Sequence, residues 1–287
     1  MEAVDLIKKV RRIEIKTRGL TRHIFAGEYH SAFKGRGIAF SEVREYQYGD
    51  DIRSIYWNLT ARFNPPWVQV YEEERELTVM LLIDVSGSGN FGSTHSFKRD
   101  IMTEVAAVLS FSAIYNNDKI GVIFFTDIVE KFIPPQKGRK HILRIIRELL
   151  DFKPGSNRTN LGEPLRYLTN AIKKRCTAFI ISDFIAPEFE EALKIAANKH
   201  DVVALKVSDP LEKVLPDVGL LKVIDSESNS EKWIDTSSKQ IRKNYTEWWN
   251  AHIANIGNTF KRCGVDFAEL STRDDYVKPL IKLFESR

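Results

Sequence analysis

Hydrophobic positions along the chain fall into two regimes. From Leu77 onward, short apolar runs alternate with longer segments of helical period. Leu77–Ile83 is an apolar run of strand length, and Lys119–Phe125, Thr177–Ser182, Asp201–Val207 and Val265–Leu270 repeat the pattern, with a shorter strand near Val129–Ile133. Helical patterns occupy Phe97–Tyr115, Lys137–Phe152, Gly162–Lys174 and Pro187–Lys199, then Ser237–Arg262 and a closing helix over Asp274–Phe284. The clearest stripe is Ile142, Ile145, Ile146 and Leu149, spaced i, i+3, i+4, i+7. The long helix predicts a core face of Ile241, Tyr245, Trp248, His252, Ile256 and Phe260, which leaves Trp249 as the better interface candidate. Leu220–Asp225 and Lys232–Asp235 predict a hairpin about Ser228-Asn229-Ser230. Continuously apolar strands alternating with helices predict an α/β fold: a doubly wound, mostly parallel sheet covered on both faces.

The second regime lies upstream. Residues 23–66 read as irregular, punctuated by Gly27, Gly35, Gly37, Gly49 and Asn64-Pro65-Pro66. Trp67–Tyr71 alternates like a strand, and Glu72–Glu76 follows as a charged edge. The expected division is an N-terminal extension over 1–76 and an α/β domain over 77–287.

Composition narrows the class. Of 287 residues, 43% are hydrophobic and 29% charged, which excludes disordered, collagen-like and coiled-coil chains. Cys176 and Cys263 form no C-x-x-C pair, which argues against a disulfide scaffold or structural zinc and for a reducing compartment. No run approaches the roughly 18 apolar residues of a membrane span, and the start has no apolar signal-peptide core. The expectation is a cytoplasmic protein. The net charge of +4 is concentrated in residues 1–22, where seven basic residues face Glu2, Asp5 and Glu14. No aromatic residue is interleaved there for stacking on bases, so the segment reads as a solvated helix face docking through Val4, Ile7 and Val10, not as a nucleic-acid binder.

Candidate chemistry collects at strand ends. The first α/β strand runs into Ile83-Asp84-Val85-Ser86-Gly87-Ser88-Gly89. Ligands of open parallel sheets bind outside the carboxyl ends of strands. There Asp84, Ser86 and Ser88 supply a carboxylate and two hydroxyls, a hard-oxygen set suited to Mg²⁺ or Mn²⁺. Thr159, in Gly155-Ser156-Asn157-Arg158-Thr159, and Asp183, closing Ile180-Ile181-Ser182-Asp183, bring two more oxygens to later mouths of the same sheet. Singly, such residues are N-caps and turn residues.

Rival chemistries fit less well. Gly87-Ser88-Gly89-Asn90-Phe91-Gly92 spells G-x-G-x-x-G, the dinucleotide fingerprint. But Asp84 would face the pyrophosphate, the helix starts near Phe97, and Ser112 stands where an acid should meet the ribose. A metal-dependent phosphohydrolase with Asp84 as nucleophile is the alternative, yet the second acid such enzymes place two residues on is Ser86 here. Neither Ser86 nor Ser88 lies in G-x-S-x-G, the six histidines form no H-E-x-x-H, and no Walker motif occurs.

Asp84, Ser86, Ser88, Thr159 and Asp183 together resemble the metal-ion-dependent adhesion site of von Willebrand factor A domains, D-x-S-x-S followed by Thr and Asp. The resemblance implies that these residues hold a cation whose open position takes a carboxylate from a partner protein. Upstream, Gly35-Arg36-Gly37, Phe40, Arg44-Glu45-Tyr46, Gly49-Asp50-Asp51-Ile52-Arg53, Trp57-Asn58 and Ala61-Arg62 resemble the signature of the domain-of-unknown-function 58 family, with Asp225-Ser226-Glu227 and Leu270-Ser271-Thr272 further on. This sequence departs from that pattern at Tyr56 and Gly89, neither of them a proposed ligand. The resemblance implies a von Willebrand A-like domain and work as an adaptor or assembly factor beside a MoxR-type AAA+ ATPase or its client. Within the signature, Arg44, Asp50, Asp51, Arg53 and Arg62 are expected to pair among themselves and pin the irregular segment, a structural role.

Overall fold

The computed structural model describes residues 39–63, 65–72, 77–92, 97–224 and 230–287. The basic segment 1–22, Gly35-Arg36-Gly37, residues 73–76 of the charged edge, and Asp225-Ser226-Glu227 with the start of the hairpin turn lie outside the described residues. Two compact units are distinguished, one within Lys34–Leu77 and one containing Thr78–Arg287.

In the smaller unit, β1 (Ala39–Glu45) pairs antiparallel with β2 (Trp67–Glu72), so part of the segment read as irregular is a strand. The register shift between Phe40 and Glu42 explains why β1 is hidden: a bulge breaks the two-residue alternation that marks a strand. Between the strands run a 3₁₀ turn (Ile52–Ser54) and the one-turn helix α1 (Trp57–Thr60). Gly49 sits at φ +109°, where a side chain would be strained. Beside it the Arg44 guanidinium donates to both oxygens of Asp50, at 2.8 and 2.7 Å. Asp51 caps the 3₁₀ turn by accepting from the Arg53 amide at 3.0 Å. The signature charges Arg44, Asp50 and Asp51 therefore staple the local chain.

The larger unit runs β3 (Thr78–Asp84), α2 (Lys98–Tyr115), β4 (Lys119–Phe125), β5 (Val129–Gln136), α3 (Arg139–Asp151), α4 (Gly162–Ala171), β6 (Thr177–Ser182), α5 (Glu190–Lys199), β7 (Asp201–Ser208), α6 (Pro210–Lys213), β8 (Leu220–Ile224), β9 (Glu231–Asp235), α7 (Lys239–Cys263), β10 (Asp266–Ser271) and α8 (Val277–Glu285). Among the described residues, six strands form one sheet in the order β10-β7-β6-β3-β4-β5. All neighbours are parallel except β4 and β5. This is the doubly wound, mostly parallel sheet expected. Burial explains its sequence: Val79 to Ile83 in β3 and all of β6 are buried, so apolar residues need not alternate. β8 and β9 make a separate antiparallel hairpin.

β5 extends through Pro134 and Pro135, beyond the Ile133 expected. It lies at the sheet edge, where missing amide donors are tolerated. Its register against β4 shifts between Ile120 and Val122, at Gly121. A Cβ there would come within 2.8 Å of the Pro135 nitrogen and 2.9 Å of the Ile133 carbonyl, so only glycine admits this close strand approach.

The long helix α7 corrects the sequence reading. Trp249 is buried, with Ile256, Thr259 and Phe260, while Trp248 is 52% exposed and Ile241 37%. At about 100° per residue, Trp249 lies about 20° from Ile256 around the axis and Trp248 about 80° from it. Stepping along Tyr245, Trp248 and His252 drifts off the core line. Trp249 instead stacks on Tyr245 and covers the Lys206 ammonium, 5.6 Å from its ring.

Candidate metal centre

From β3 the chain winds outward to β4 on one side, then returns through β6 and β7 on the other. The strand order reverses beside β3, so the crevice of a doubly wound sheet opens at the carboxyl ends of β3 and β6. Asp84 ends β3, and Asp183 follows Ser182 at the end of β6.

Asp84 is buried and both its oxygens are engaged. Oδ1 accepts from the Ser86 amide at 3.0 Å, and Oδ2 accepts from the Ser182 hydroxyl at 2.7 Å. The first bond closes the turn that presents the serines. Ser86 Oγ and Ser88 Oγ stand 3.1 Å apart and share a hydrogen bond. The Gly87 amide donates to the Asn157 carbonyl at 3.1 Å, tying the Thr159 loop to this turn. Glu130 holds that loop, its Oε1 accepting from the amides of Gly155 at 2.9 Å and Ser156 at 3.3 Å. Thr159 itself is buried, and its hydroxyl has no hydrogen-bond partner among the described residues.

Asp183 is set by a constrained turn. Phe184 takes φ +58°, a left-handed conformation that costs a non-glycine residue roughly 1–3 kcal/mol. It is held there by its amide bond to Ser182 Oγ at 3.0 Å and by a ring packed on Phe260 at 5.0 Å and Phe189 at 6.1 Å. The Ile185 amide then donates to Asp183 Oδ1 at 3.1 Å. The structure thus brings Asp84, Ser86 and Ser88 into one bonded series, ties the Thr159 loop to it, and sets Asp183 near enough for its charge to act on Asp84. Burial above all, and then the Asp183 charge, push the Asp84 carboxyl up to about 6, against the hydrogen bonds from Ser86 and Ser182.

Sequence reasoning missed two members of the cluster. Lys98, first residue of α2, is 1% exposed, and its Nζ donates to Asp183 Oδ2 at 2.7 Å and to Glu212 Oε1 at 2.5 Å. Burial opposes its charge, but the Asp183 and Glu212 carboxylates outweigh burial and raise its pKa. Glu212 is fixed in turn by the capping box of α6, its Oε2 accepting from the Asp209 amide at 2.9 Å. A cation at a helix N-terminus opposes the helix dipole, and such a position ordinarily faces water. Nothing local in Ser96-Phe97-Lys98-Arg99-Asp100 marks Lys98 as buried.

Two rival chemistries meet physical obstacles. The first two glycines of the G-x-G-x-x-G string lie in a 3₁₀ turn over Gly87–Asn90, and the helix starts at Lys98, so among the described residues no α-helix N-terminus stands at the glycines to take a pyrophosphate. Cys176 and His200 pair at 3.3 Å like a nucleophile and base. But burial pushes the thiol up to about 12 and the imidazole down to about 4, so neither is charged near neutral pH.

No helix among the described residues is long and apolar enough to cross a membrane. A family described as "Protein of unknown function DUF58" matches residues 42–255. An uncharacterized protein of Mycobacterium tuberculosis is 29% identical over 287 residues, spanning 98% of this chain and 90% of its own length. One of Mycobacterium bovis gives the same identity of 29% and the same coverage. Among solved structures, BatB from Bacteroides thetaiotaomicron is similar with TM-score 0.48 and 14% identity, over 73% of this chain and 98% of that one. The SpRpn10 VWA domain is similar with TM-score 0.39 and 10% identity, over 74% of this chain and 95% of that one.

Proposed function

The chain belongs to the DUF58 family, and from that premise and the crevice at β3 we propose that its larger unit is a divalent-cation-dependent protein-binding module. In this role it is an adaptor or assembly factor acting with a MoxR-type AAA+ ATPase, binding the ATPase or a client that the ATPase remodels. The partner follows from the family resemblance, and the cation from the crevice. The observation that carries the cation is Thr159, a buried hydroxyl left without a partner among the described residues, in a loop bonded to the Ser86–Ser88 turn. An unpaired buried hydroxyl costs about 1–3 kcal/mol, which a cation ligand relieves. Asp84, Ser86, Ser88, Thr159 and Asp183 would hold the ion, and their hard oxygens fit Mg²⁺ or Mn²⁺.

Bound there, the ion supplies an electrophilic point that an Asp or Glu of the partner can ligate in place of water. The chain's own residues aim the donors and keep the turn rigid: Ser182 orients Asp84, Asn157 anchors Gly87, and Phe184 sets Asp183. Binding, not catalysis, suits this set. Ser86 occupies the position where a phosphohydrolase needs a second acid.

The test is affinity purification of the full chain in Mg²⁺ and in chelator, with Asp84→Ala beside it. An AAA+ ATPase or its client should co-elute in Mg²⁺ and be lost in both other samples. Equal recovery in chelator would overturn the cation dependence, and recovery of neither class would overturn the assigned partner.

A further inference from the structure

We propose that Lys98 is a tethered cation of this site: its ammonium stands in for part of the divalent ion's charge, keeps the metal-free crevice folded, and holds the site's affinity for the ion low. The inference rests on the cation-site assignment above and concerns how that site is regulated.

The geometry is specific. Lys98 Nζ spends two of its three protons on Asp183 Oδ2 at 2.7 Å and Glu212 Oε1 at 2.5 Å, and lies 5.9 Å from the centre of the Phe91 ring. Asp183 Oδ1 is taken by the Ile185 amide, so the carboxylate meant to face the ion already has both oxygens engaged and its charge shared with an ammonium. Lys98 and Asp183 are both almost wholly removed from water, at 1% and 2% side-chain exposure, so their attraction is screened little. Any dication gathered by Asp84, Ser86, Ser88 and Thr159 meets a fixed positive charge bonded to its fifth ligand.

The same contact solves the problem of the metal-free state. Asp84 and Asp183 are two buried carboxylates close enough to repel. Without a counter-charge such a pair opens or takes up a proton. Lys98 supplies that charge from the first turn of α2, and Glu212, 114 residues further along, anchors the ammonium with a second hydrogen bond. A weak site then has a functional consequence. The carboxylate of an acidic partner adds the negative charge that Lys98 cancels, so ion and partner bind together and neither loads the site fully alone.

Titration calorimetry of the full chain with Mn²⁺ alone as probe tests this, with thermal melts in Mn²⁺ and in chelator. Lys98→Met, similar in length and uncharged, should bind Mn²⁺ roughly tenfold more tightly or better. It should melt below wild type in chelator and regain the difference in Mn²⁺. Glu212→Gln, which removes the anion sharing the ammonium, should shift affinity the opposite way. A merely structural lysine would lower the melt in both conditions without tightening binding. If wild type binds Mn²⁺ and Lys98→Met binds no tighter, or stays unfolded in Mn²⁺, the tethered-cation role is overturned while the site assignment stands. If neither protein binds Mn²⁺ at millimolar concentration, both fall.

Discussion

Burial and the Asp183 charge penalise the ionised form of Asp84, so the metal-free protein holds this carboxylate at a loss. Asp84→Asn removes the charge and keeps the shape. It is expected to raise the unfolding free energy in chelator by roughly 1–3 kcal/mol while abolishing Mn²⁺ binding. Urea unfolding in chelator, paired with calorimetry, reads the two opposite effects, and a variant less stable than wild type would mean the carboxylate is a net stabiliser. His200 sets a separate dependence on pH. Burial first, then Lys199 and Arg175, lower its pKa from 6.5 to about 4. The unfolded chain therefore binds the extra proton first. The stability is complete above about pH 6.5 and is lost as pH falls toward 4, by up to roughly 3 kcal/mol. Its Nε2 has no partner among the described residues, so His200→Leu should fold and flatten the melting temperature over that window. A profile unchanged in the variant would assign the acid sensitivity to other groups. At this scale the shared turn of Asp84, Ser86 and Ser88 was legible because they lie close together in sequence. Lys98 and Glu212 were not, because burial of a charged residue is decided by partners 85 and 114 residues away.

Elements were legible where one physical cause dominated. β3, β4, β6 and β7 announce themselves because both faces are buried and nearly every position is apolar. β1 stayed hidden because its bulge destroys alternation, and β5 was cut short because its prolines look like a stop unless the strand is known to lie at an edge. In α7 the helix itself was plain, but its face was assigned by steps of three and four residues whose angular error accumulates. The difference between its two tryptophans is measurable. Trp249→Ala empties a buried site against Tyr245 and Lys206 and should cost about 3 kcal/mol or more, whereas Trp248→Ala, exposed and stacked on His252, should cost less than about 1 kcal/mol. Equal losses in urea unfolding would mean that the Trp248–His252 stack bears more of the stability than its exposure allows.

For the whole molecule, the winding of the sheet sets the ends of β3 and β6, where Asp84 and Asp183 of the proposed site stand, side by side. The sequence lists five oxygen-bearing residues over a hundred positions, and the reversal of strand order beside β3 explains why distant loops can serve one crevice. Charge is distributed differently: seven basic residues stand in positions 1–22, while the rest of the chain is balanced. These two features imply separable contributions to partner binding. Diffuse charge acts over about 8 Å at physiological ionic strength and mainly speeds encounter, whereas the ion of the proposed site would hold the complex once formed. Chelation should therefore weaken the complex with the co-purified partner at least roughly tenfold, chiefly through faster dissociation, while doubling a moderate salt concentration changes affinity only a few-fold. Replacing Lys8, Lys9, Arg11 and Arg12 by Gln should slow association and leave the dissociation rate nearly unchanged. Surface-immobilised kinetics in Mg²⁺, in chelator and with the Gln variant separate the contributions. If chelator leaves both rates untouched while the Gln variant abolishes binding, recognition resides in the basic segment and not at the mouth of β3.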